Sequence, residues 1–396
     1  MTTPATHPSP DPPRQDPLMR RFSTAQVHAR RLDRHALATP LPATALADVP
    51  ARLGGVHAQV LSAAELGIGL RTAGTTRRDV RTALWDRRTL VKTRGPRFTV
   101  HLLATADLPI WTGALSELPV RPLELLTDEQ AEQVVTAIAD ALREAELTTD
   151  ELTEAVVART GPWAGEPALA AFGGWWPRWV EAMSLATRRG TLCFGPNRGR
   201  LVTYTNPARW LPGFRPADGR TALAEVLRRY LHAYGPATPA HFAQWLAAPK
   251  RWAAELFDSL GDELEQVTVA ETPAWVLAGD TELPAEPPRG VRLLPYFDAY
   301  PVGCFPRAEV FPGPAATRAL AGGQAGNFPV LLVDGRVTGV WHQRRSGRRI
   351  EVTVESLADL TARQLRELDE QVQRVGEILE GDPRLTLGEV AVGPHA

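Results

Sequence analysis

The sequence predicts an α+β fold in which three tandem winged-helix units precede a small β-rich domain and a terminal helix. Groups of amphipathic helical segments are each followed by two short alternating segments, and this succession occurs three times. A proline-rich break at 281–290 then leads to segments with the period of β-strands. Helices followed by a hairpin form the outline of a winged helix, so we expect three of these units in series.

Composition limits the possible classes of protein. With 396 residues, of which 44% are hydrophobic and 22% charged, the chain is typical of a globular protein with more than one core. The net charge of −1 gives no overall basic field. The polar, proline-rich residues 1–19 predict a disordered tail without a secretory signal, and no segment is apolar enough for a membrane span. We therefore expect a cytoplasmic protein that acts as a monomer.

Few residues are available for metal or lysine chemistry. The two cysteines, Cys193 and Cys304, lack the Cys-x-x-Cys spacing of zinc sites, so we expect no metal and no cofactor. Only two of the 44 basic residues are lysines, Lys92 and Lys250. A mechanism through a lysine Schiff base therefore has only two candidate nucleophiles.

The first winged-helix unit is predicted over 20–122. Thr76 and Asp79 have the spacing of a capping box at the start of a helix that ends near Arg87. A turn at 94–96 joins two alternating runs and predicts the hairpin. The other helices of this unit are predicted over 22–37, 46–53 and 62–71, and the two strands of the hairpin over 89–93 and 97–103.

The second and third units are predicted over 123–218 and 219–282. Thr127 and Thr148 begin capping boxes for two helices, a third helix is predicted from Trp175, and Thr238 caps a helix with Pro239 in its first turn. Strand pairs are expected at 191–194 with 201–205, and at 264–269 with 274–278.

The C-terminal β-rich domain is predicted over 283–396. Three segments alternate like strands, with Asp334-Gly335 as a hairpin turn. The strand-like segments cover 291–303, 328–343 and 348–357, and the terminal helix is predicted over 361–381. Asp298, within the first of these segments, is expected to form a turn or to be a buried, hydrogen-bonded carboxylate.

The run Gly54-Gly55-Val56-His57-Ala58-Gln59 places two polar side chains between helical segments. Residues two apart do not share a face of a helix, so His57 and Gln59 can reach one site only where the glycines interrupt it. Both side chains can orient a water molecule through a nitrogen or oxygen acceptor. The structural alternative is that His57 satisfies a buried carbonyl and Gln59 caps the helix near Ser62. Glu65 is expected on the surface of that helix.

Three basic groups are candidates for contact with DNA. Their competing interpretation is solvated surface charge. They are Arg344, Arg345, Arg348 and Arg349 around a predicted turn; Lys92, Arg94 and Arg97 on the first hairpin; and Arg77, Arg78 and Arg81 in the first turns of a helix. The tryptophans at 175, 176 and 179 are expected to pack in a core or between units rather than to stack on bases.

The order of these motifs resembles one family. The segments LGGVHAQV, LVKTRGPRFTVHLLATADLP, LTTDELTEAV, YGPATPAHFAQWL, LLPYFDAYPVG and VLLVDGRVTGVWHQRR occur in this order. This succession resembles the bacterial AlkZ/YcaQ-like DNA glycosylases over about residues 23 to 380. The resemblance implies a monofunctional glycosylase that excises N7-alkylated guanine from double-stranded DNA, with His57 and Gln59 as the catalytic residues.

One position departs from the commonest pattern of the family. The catalytic motif there most often has Gln-x-Gln or Gln-x-Asp, whereas this chain has His57-Ala58-Gln59. A His-x-Gln motif is similar to the self-resistance branch, which implies bulky natural-product adducts as lesions. The alternative function is a non-catalytic winged-helix protein that acts as a regulator or binds a genotoxin.

Overall fold

Helices occupy most of the first two-thirds of the chain, and a five-stranded sheet dominates the last third. The computed structural model describes residues 20–119, 122–171 and 174–393, and within them the chain has a mixed α/β fold. The predicted disordered tail lies outside the described residues. None of the helices in the described ranges combines the length and hydropathy of a membrane span.

The first helical group surrounds a three-stranded antiparallel sheet. The sheet has the order β2-β4-β3, whereas β1 pairs in parallel with a strand from the third group. The elements are β1 (Arg21–Phe22), α1 (Thr24–Arg34), α2 (Asp48–Leu53), β2 (Val56–His57), α3 (Leu61–Gly69), α4 (Arg77–Arg81), β3 (Leu90–Arg94), β4 (Val100–Ala104) and α5 (Leu108–Ser116).

The second and third groups also end in antiparallel strand pairs. Their sheets have the orders β5-β9-β8 and β1-β10-β11, and β6 and β7 form a separate hairpin. The elements are α6 (Asp128–Leu142), β5 (Leu147–Thr148), α7 (Thr149–Thr160), β6 (Pro167–Ala171), β7 (Gly174–Pro177), α8 (Met183–Arg188), β8 (Cys193–Arg198), β9 (Leu201–Thr205), α9 (Gly219–Tyr234), α10 (Pro239–Leu246), α11 (Lys250–Leu260), β10 (Leu264–Val269) and β11 (Thr272–Leu277).

The C-terminal part is built on a sheet with the order β12-β13-β14-β15-β16. Its pairs are antiparallel except for β15 and β16, which are parallel. The elements are β12 (Val291–Leu294), α12 (Ala299–Gly303), α13 (Arg307–Val310), α14 (Pro314–Ala319), β13 (Val330–Val333), β14 (Arg336–Ser346), β15 (Arg349–Ser356), α15 (Ala362–Leu379) and β16 (Asp382–Leu387).

Local hydrogen bonding explains where several helices begin. The side chains of Thr76, Thr127 and Thr148 each accept a hydrogen bond from the backbone N–H three residues later. The side chain of that later residue accepts a hydrogen bond from the backbone N–H of the threonine. Thr238 does the same, with Pro239 in the first turn. These predicted caps are confirmed, because reciprocal capping depends only on residues three apart.

Two predicted elements differ from the structure. The helix predicted from Trp175 is wrong at its start, because Gly174–Pro177 pairs with β6 as a strand and α8 begins at Met183. Trp175 and Trp176 are 66% and 44% exposed, whereas Trp179 is fully buried, so only Trp179 packs in a core as expected.

The strand predicted over 291–303 is also wrong beyond Leu294. Phe297 has a φ of 55°, which ends the extended chain, and the carboxylate of Asp298 accepts a hydrogen bond from the backbone N–H of Tyr300 at 2.9 Å. Asp298 thereby caps α12. The expectation that Asp298 is buried and hydrogen-bonded is confirmed.

A buried ion pair connects the first helical group to the C-terminal part. The Arg71 guanidinium donates to both carboxylate oxygens of Asp298 at 2.8 Å, and the two side chains are 1% and 2% exposed. Arg71 also donates to the carbonyls of His35 and Gly67 at 3.0 and 2.9 Å. The loop that precedes α12 is therefore held against the C-terminal end of α3.

We expect Asp298→Ala to destabilise the protein strongly. Removal of one partner leaves the Arg71 charge buried and unpaired, which costs about 3–5 kcal/mol in the free energy of unfolding. Urea denaturation measures this change. The control is Asp140→Ala, because Asp140 pairs with Arg143 on the surface, with side chains 45% and 70% exposed. An exposed pair contributes about 0–1 kcal/mol, so equal losses in the two variants would contradict the prediction.

Candidate active site

Two glycines end α2 and turn the chain into the short strand β2. Gly54 has a φ of 69° and Gly55 a φ of 113°, and residues other than glycine rarely adopt these backbone angles. A Cβ on Gly55 would lie 2.9 Å from the Leu103 side chain and 3.1 Å from the His101 ring, so β2 approaches β4 closely here. The predicted interruption of the helix is confirmed, and it takes the form of a strand.

The strand places His57 opposite His101. The pair belongs to the antiparallel ladder of β2 and β4, and the backbone N–H of Ala58 extends it by donating to the Val100 carbonyl at 2.7 Å. The ring centroids of His57 and His101 are 5.1 Å apart in an edge-to-face arrangement. The centroid of the Phe297 ring lies 4.3 Å from that of His57. The His57 ring is thus enclosed by aromatic groups from two distant segments.

Burial keeps the His57 imidazole neutral. His57 is only 9% exposed. This burial, together with the charge of Arg97, lowers the pKa of the imidazole from 6.5 to about 4. Its Nδ1 is buried and has no hydrogen-bond partner among the described residues. The other ring nitrogen, Nε2, can accept a hydrogen bond from a water molecule when Nδ1 carries the proton.

Gln59 lies in the bend between β2 and α3 and is exposed. Ala58 before it is fully buried, whereas Val60 after it is 40% exposed. Val60 is the N-cap of α3, and no side chain donates or accepts a capping hydrogen bond there. Neither structural alternative from the sequence is therefore observed: Gln59 does not cap α3, and His57 satisfies no buried carbonyl in the described part of the chain.

His101 and Arg97 define the electrostatics around His57. The Nδ1 of His101 donates to the Thr99 carbonyl at 2.9 Å, and burial keeps the pKa of this imidazole well below its usual value. Arg97 donates to the Trp245 carbonyl at 3.0 Å, and its own pKa is lowered by burial. The uncharged rings of His101 and Phe297 thus lie against His57, and the positive charge of the Arg97 guanidinium disfavours protonation of the His57 imidazole.

Two of the predicted basic groups meet at one place. The carboxylate of Glu380, at the end of α15, lies 3.2 Å from Arg77 and 3.3 Å from Arg78, both in α4. Arg345 of β14 donates to the carbonyls of Leu379 and Glu380 at 2.6 and 3.3 Å. We call the surface around these residues, together with the turn at 344–349, the Glu380 surface.

The Glu380 surface carries an excess of positive charge. Arg348 lies 3.4 Å from Asp382, and Arg349 lies 2.7 Å from Glu351, whereas the Arg344 side chain is exposed and makes no ion pair or hydrogen bond among the described residues. Four arginines therefore pair with three carboxylates, and Arg344 and Arg345 pair with none. Arg78 and Arg348 are about four-fifths exposed, so their guanidinium groups are accessible to an anionic partner.

The basic residues of the first hairpin have partners inside the fold. Lys92 lies 5.0 Å from the centroid of the Phe194 ring, and burial lowers its pKa. Arg94 donates to the Phe98 carbonyl at 3.1 Å, and Arg97 binds the Trp245 carbonyl as described. The structure does not bring these three to the Glu380 surface, and their contact with DNA stays a prediction.

Comparison with known proteins identifies the family. The family described as DNA glycosylase AlkZ-like matches residues 51–378. The interstrand DNA cross-link repair glycosylase of Streptomyces sahachiroi is 36% identical over 344 residues, which cover 81% of this chain and 87% of that protein. The structure of the Streptomyces sahachiroi DNA glycosylase AlkZ matches with a TM-score of 0.77 and 29% identity, over 93% of this chain and all of that one.

The chain belongs to the AlkZ-like DNA glycosylase family. The resemblance that the sequence predicted is thereby confirmed, and the protein is an enzyme, a hydrolase of N-glycosidic bonds. Its mixed α/β fold matches that of a solved relative.

Sequence reasoning missed three residues around the motif of this AlkZ-like protein. Phe297 and His101 contact the His57 ring, but nothing in their local sequence indicates this contact. Glu65 is fully buried rather than on the surface, and its carboxylate lies 2.6 Å from Arg81. An acidic residue on a short apolar helix, with arginines following, was the one available signal for that pair.

We expect the His57 imidazole to titrate with a pKa of about 4, because burial disfavours its charged form. NMR of histidine-labelled protein measures the pKa, and His57→Gln assigns the resonance. Arg97→Met should raise the pKa while leaving it below 6.5, since burial is the larger cause. A pKa near 6.5 in the unmodified protein would contradict this account.

Proposed function

We propose that this enzyme is a monofunctional glycosylase that hydrolyses the N-glycosidic bond of N7-alkylated guanine in duplex DNA. We further propose that bulky natural-product adducts are its lesions and that it protects its host against a genotoxin. The observation that carries the proposal is the neutral, enclosed His57 beside the exposed Gln59. The Streptomyces relative, described as a cross-link repair glycosylase, supports interstrand cross-links as further substrates.

The chemistry of the lesion suits such mild catalytic groups. Alkylation at N7 gives the guanine a positive charge, so the base leaves without strong protonation. Glycosidic cleavage proceeds through an oxocarbenium-like sugar, and the enzyme has to place a water molecule against that sugar. The Nε2 of His57 and the amide oxygen of Gln59 are acceptors that can orient this water. Water therefore serves as the nucleophile.

A histidine with a pKa of about 4 is a weak base in the ground state. Its neutral ring accepts a hydrogen bond from water at physiological pH, and the water becomes strongly acidic only once it bonds to the sugar cation. Proton transfer to His57 is then late. This timing matches a reaction whose leaving group departs readily.

The architecture supports binding of a damaged duplex. We propose that the three helix-and-sheet groups are tandem winged helices, and that a single protein chain binds one alkylated site. The Glu380 surface is connected to the motif through α3, whose nine residues span about 14 Å. The exposed bend at 59–60 leaves room for an adduct too large for an enclosed base pocket.

We expect His57→Ala and Gln59→Ala to lower the single-turnover rate of excision by at least about 100-fold, because each removes an acceptor that orients the water. The substrates are duplexes with one N7-methylguanine or one bulky N7-alkylguanine, and alkali-revealed strand cleavage measures excision. Binding of the duplex should persist in both variants.

The matched control is His232→Ala, which removes a half-exposed histidine of α9 that lies beside Asp280. This variant should keep the unmodified rate. Unchanged excision in both motif variants would overturn the site assignment. Duplex binding without excision of either lesion by the unmodified protein would favour the non-catalytic binding function instead.

We expect Arg344→Ala and Arg348→Ala to weaken binding to DNA and to reduce its salt dependence. Each phosphate contact that is lost should lower the slope of log affinity against log salt by about 0.9. Fluorescence anisotropy at several salt concentrations measures this slope. Arg143→Ala is the control, because Arg143 is a similarly exposed arginine with a carboxylate partner, Asp140, but lies at the end of α6 and outside the Glu380 surface. Identical slopes in all three variants would remove the Glu380 surface from the proposed interface.

A further inference from the structure

Phe297 has a backbone conformation that aromatic residues rarely adopt. Its φ is 55°, in the left-handed region that favours glycine and asparagine. Residues held in such regions persist only where the surrounding structure determines them, and they cluster at functional sites. The Phe297 ring lies 4.3 Å from the His57 ring at an angle of 30°.

The surroundings hold Phe297 from both sides. Its backbone N–H donates to the Gly326 carbonyl at 3.0 Å. Gly326 has a φ of 99°, and a Cβ on it would lie 2.9 Å from the Phe297 ring, so the close approach depends on glycine. The next residue, Asp298, is fixed by its bidentate contact with Arg71. Neither end of the Phe297 backbone can relax without breaking one of these contacts.

Gly67 brings this loop against the motif. A Cβ at Gly67 would lie 3.7 Å from Asp298, 3.8 Å from Pro295 and 3.8 Å from Val56. The loop at 295–298 therefore packs on α3 directly beside the strand that carries His57. The C-terminal part of the protein thus completes the enclosure of a residue in the first helical group.

We propose that Phe297 is a positioning residue for His57: its ring covers one face of the imidazole, fixes its orientation and excludes water from it. This inference rests on the proposed function, in which neutral His57 orients the hydrolytic water. Phe297 itself contacts the imidazole and need not touch the lesion.

The other groups around His57 cannot replace this effect. His101 from β4 meets the imidazole edge-to-face and is itself neutral, and Arg97 in the turn between β3 and β4 supplies positive charge. Asp298 follows Phe297, but its carboxylate is engaged by Arg71. Burial is the largest cause of the lowered pKa of His57, and the Phe297 ring supplies part of that burial.

The decisive variant is Phe297→Asn, because asparagine tolerates the left-handed backbone while the ring is lost. NMR titration should show the pKa of His57 rising from about 4 towards 6.5. A pKa of 6.5 would leave about a tenth of the imidazole neutral at pH 5.5, so single-turnover excision there should fall by up to about tenfold against the unmodified enzyme. Affinity for the duplex should not change.

Two variants serve as controls. Phe297→Tyr keeps the ring and should keep both the low pKa and the excision rate at pH 5.5. Phe305→Ala removes a phenylalanine that stacks on another histidine, His241, with ring centroids 5.3 Å apart, and it should leave the titration of His57 unchanged. If Phe297→Asn does not fold, Phe297→Gly tests the same loss, since glycine adopts this φ freely.

A pKa of His57 that stays near 4 in the folded Phe297→Asn or Phe297→Gly protein overturns the proposal. A rise of similar size in Phe305→Ala also overturns it, because the effect is then a general loosening of the fold. The titration needs no DNA, so it decides the role of Phe297 even if the unmodified enzyme excises neither lesion. That last result would count against the proposed function alone.

Discussion

The buried ion pair between Arg71 and Asp298 is the contact on which the geometry of the candidate site depends. Two charges in a dry interior are stable only when their hydrogen bonds are complete. Here the guanidinium meets both carboxylate oxygens and two backbone carbonyls, and the carboxylate also caps α12. Because Asp298 directly follows Phe297, the same contact that joins distant parts of the chain also sets the ring against His57.

The fold thereby encloses the His57 side chain of the motif, which is polar in sequence, between the rings of His101 and Phe297. The glycines at 54 and 55 let β2 approach β4, and this places His57 against His101. The loop at 295–298 then closes the opposite face. Burial and the Arg97 charge both act against protonation of the imidazole, so its neutral form persists well below neutral pH.

The sequence predicted those features that depend on neighbouring residues. The capping boxes at Thr76, Thr127 and Thr148 are confirmed because both partners lie three residues apart. The interruption at Gly54-Gly55 follows from the backbone freedom of glycine. The contact of Phe297 with His57, by contrast, comes from packing between segments far apart in the chain, and the alternating pattern over 291–303 even indicated a strand there. The parallel strand β16 was missed for the same reason, since its pairing with β15 has no local signature.

The enclosure also bears on why a histidine can occupy a position where the resemblance implies glutamine in most relatives. An exposed imidazole would carry a charge through part of the physiological pH range and would repel the alkylated, cationic base of the proposed reaction. With its pKa lowered to about 4, His57 instead presents an uncharged nitrogen acceptor, as glutamine presents an uncharged oxygen. The substitution then changes the shape and the reach of the acceptor while its charge stays the same. With the roles proposed for these residues, a histidine at this position requires a shielding ring, and Phe297, in its left-handed backbone conformation, lies where it provides one.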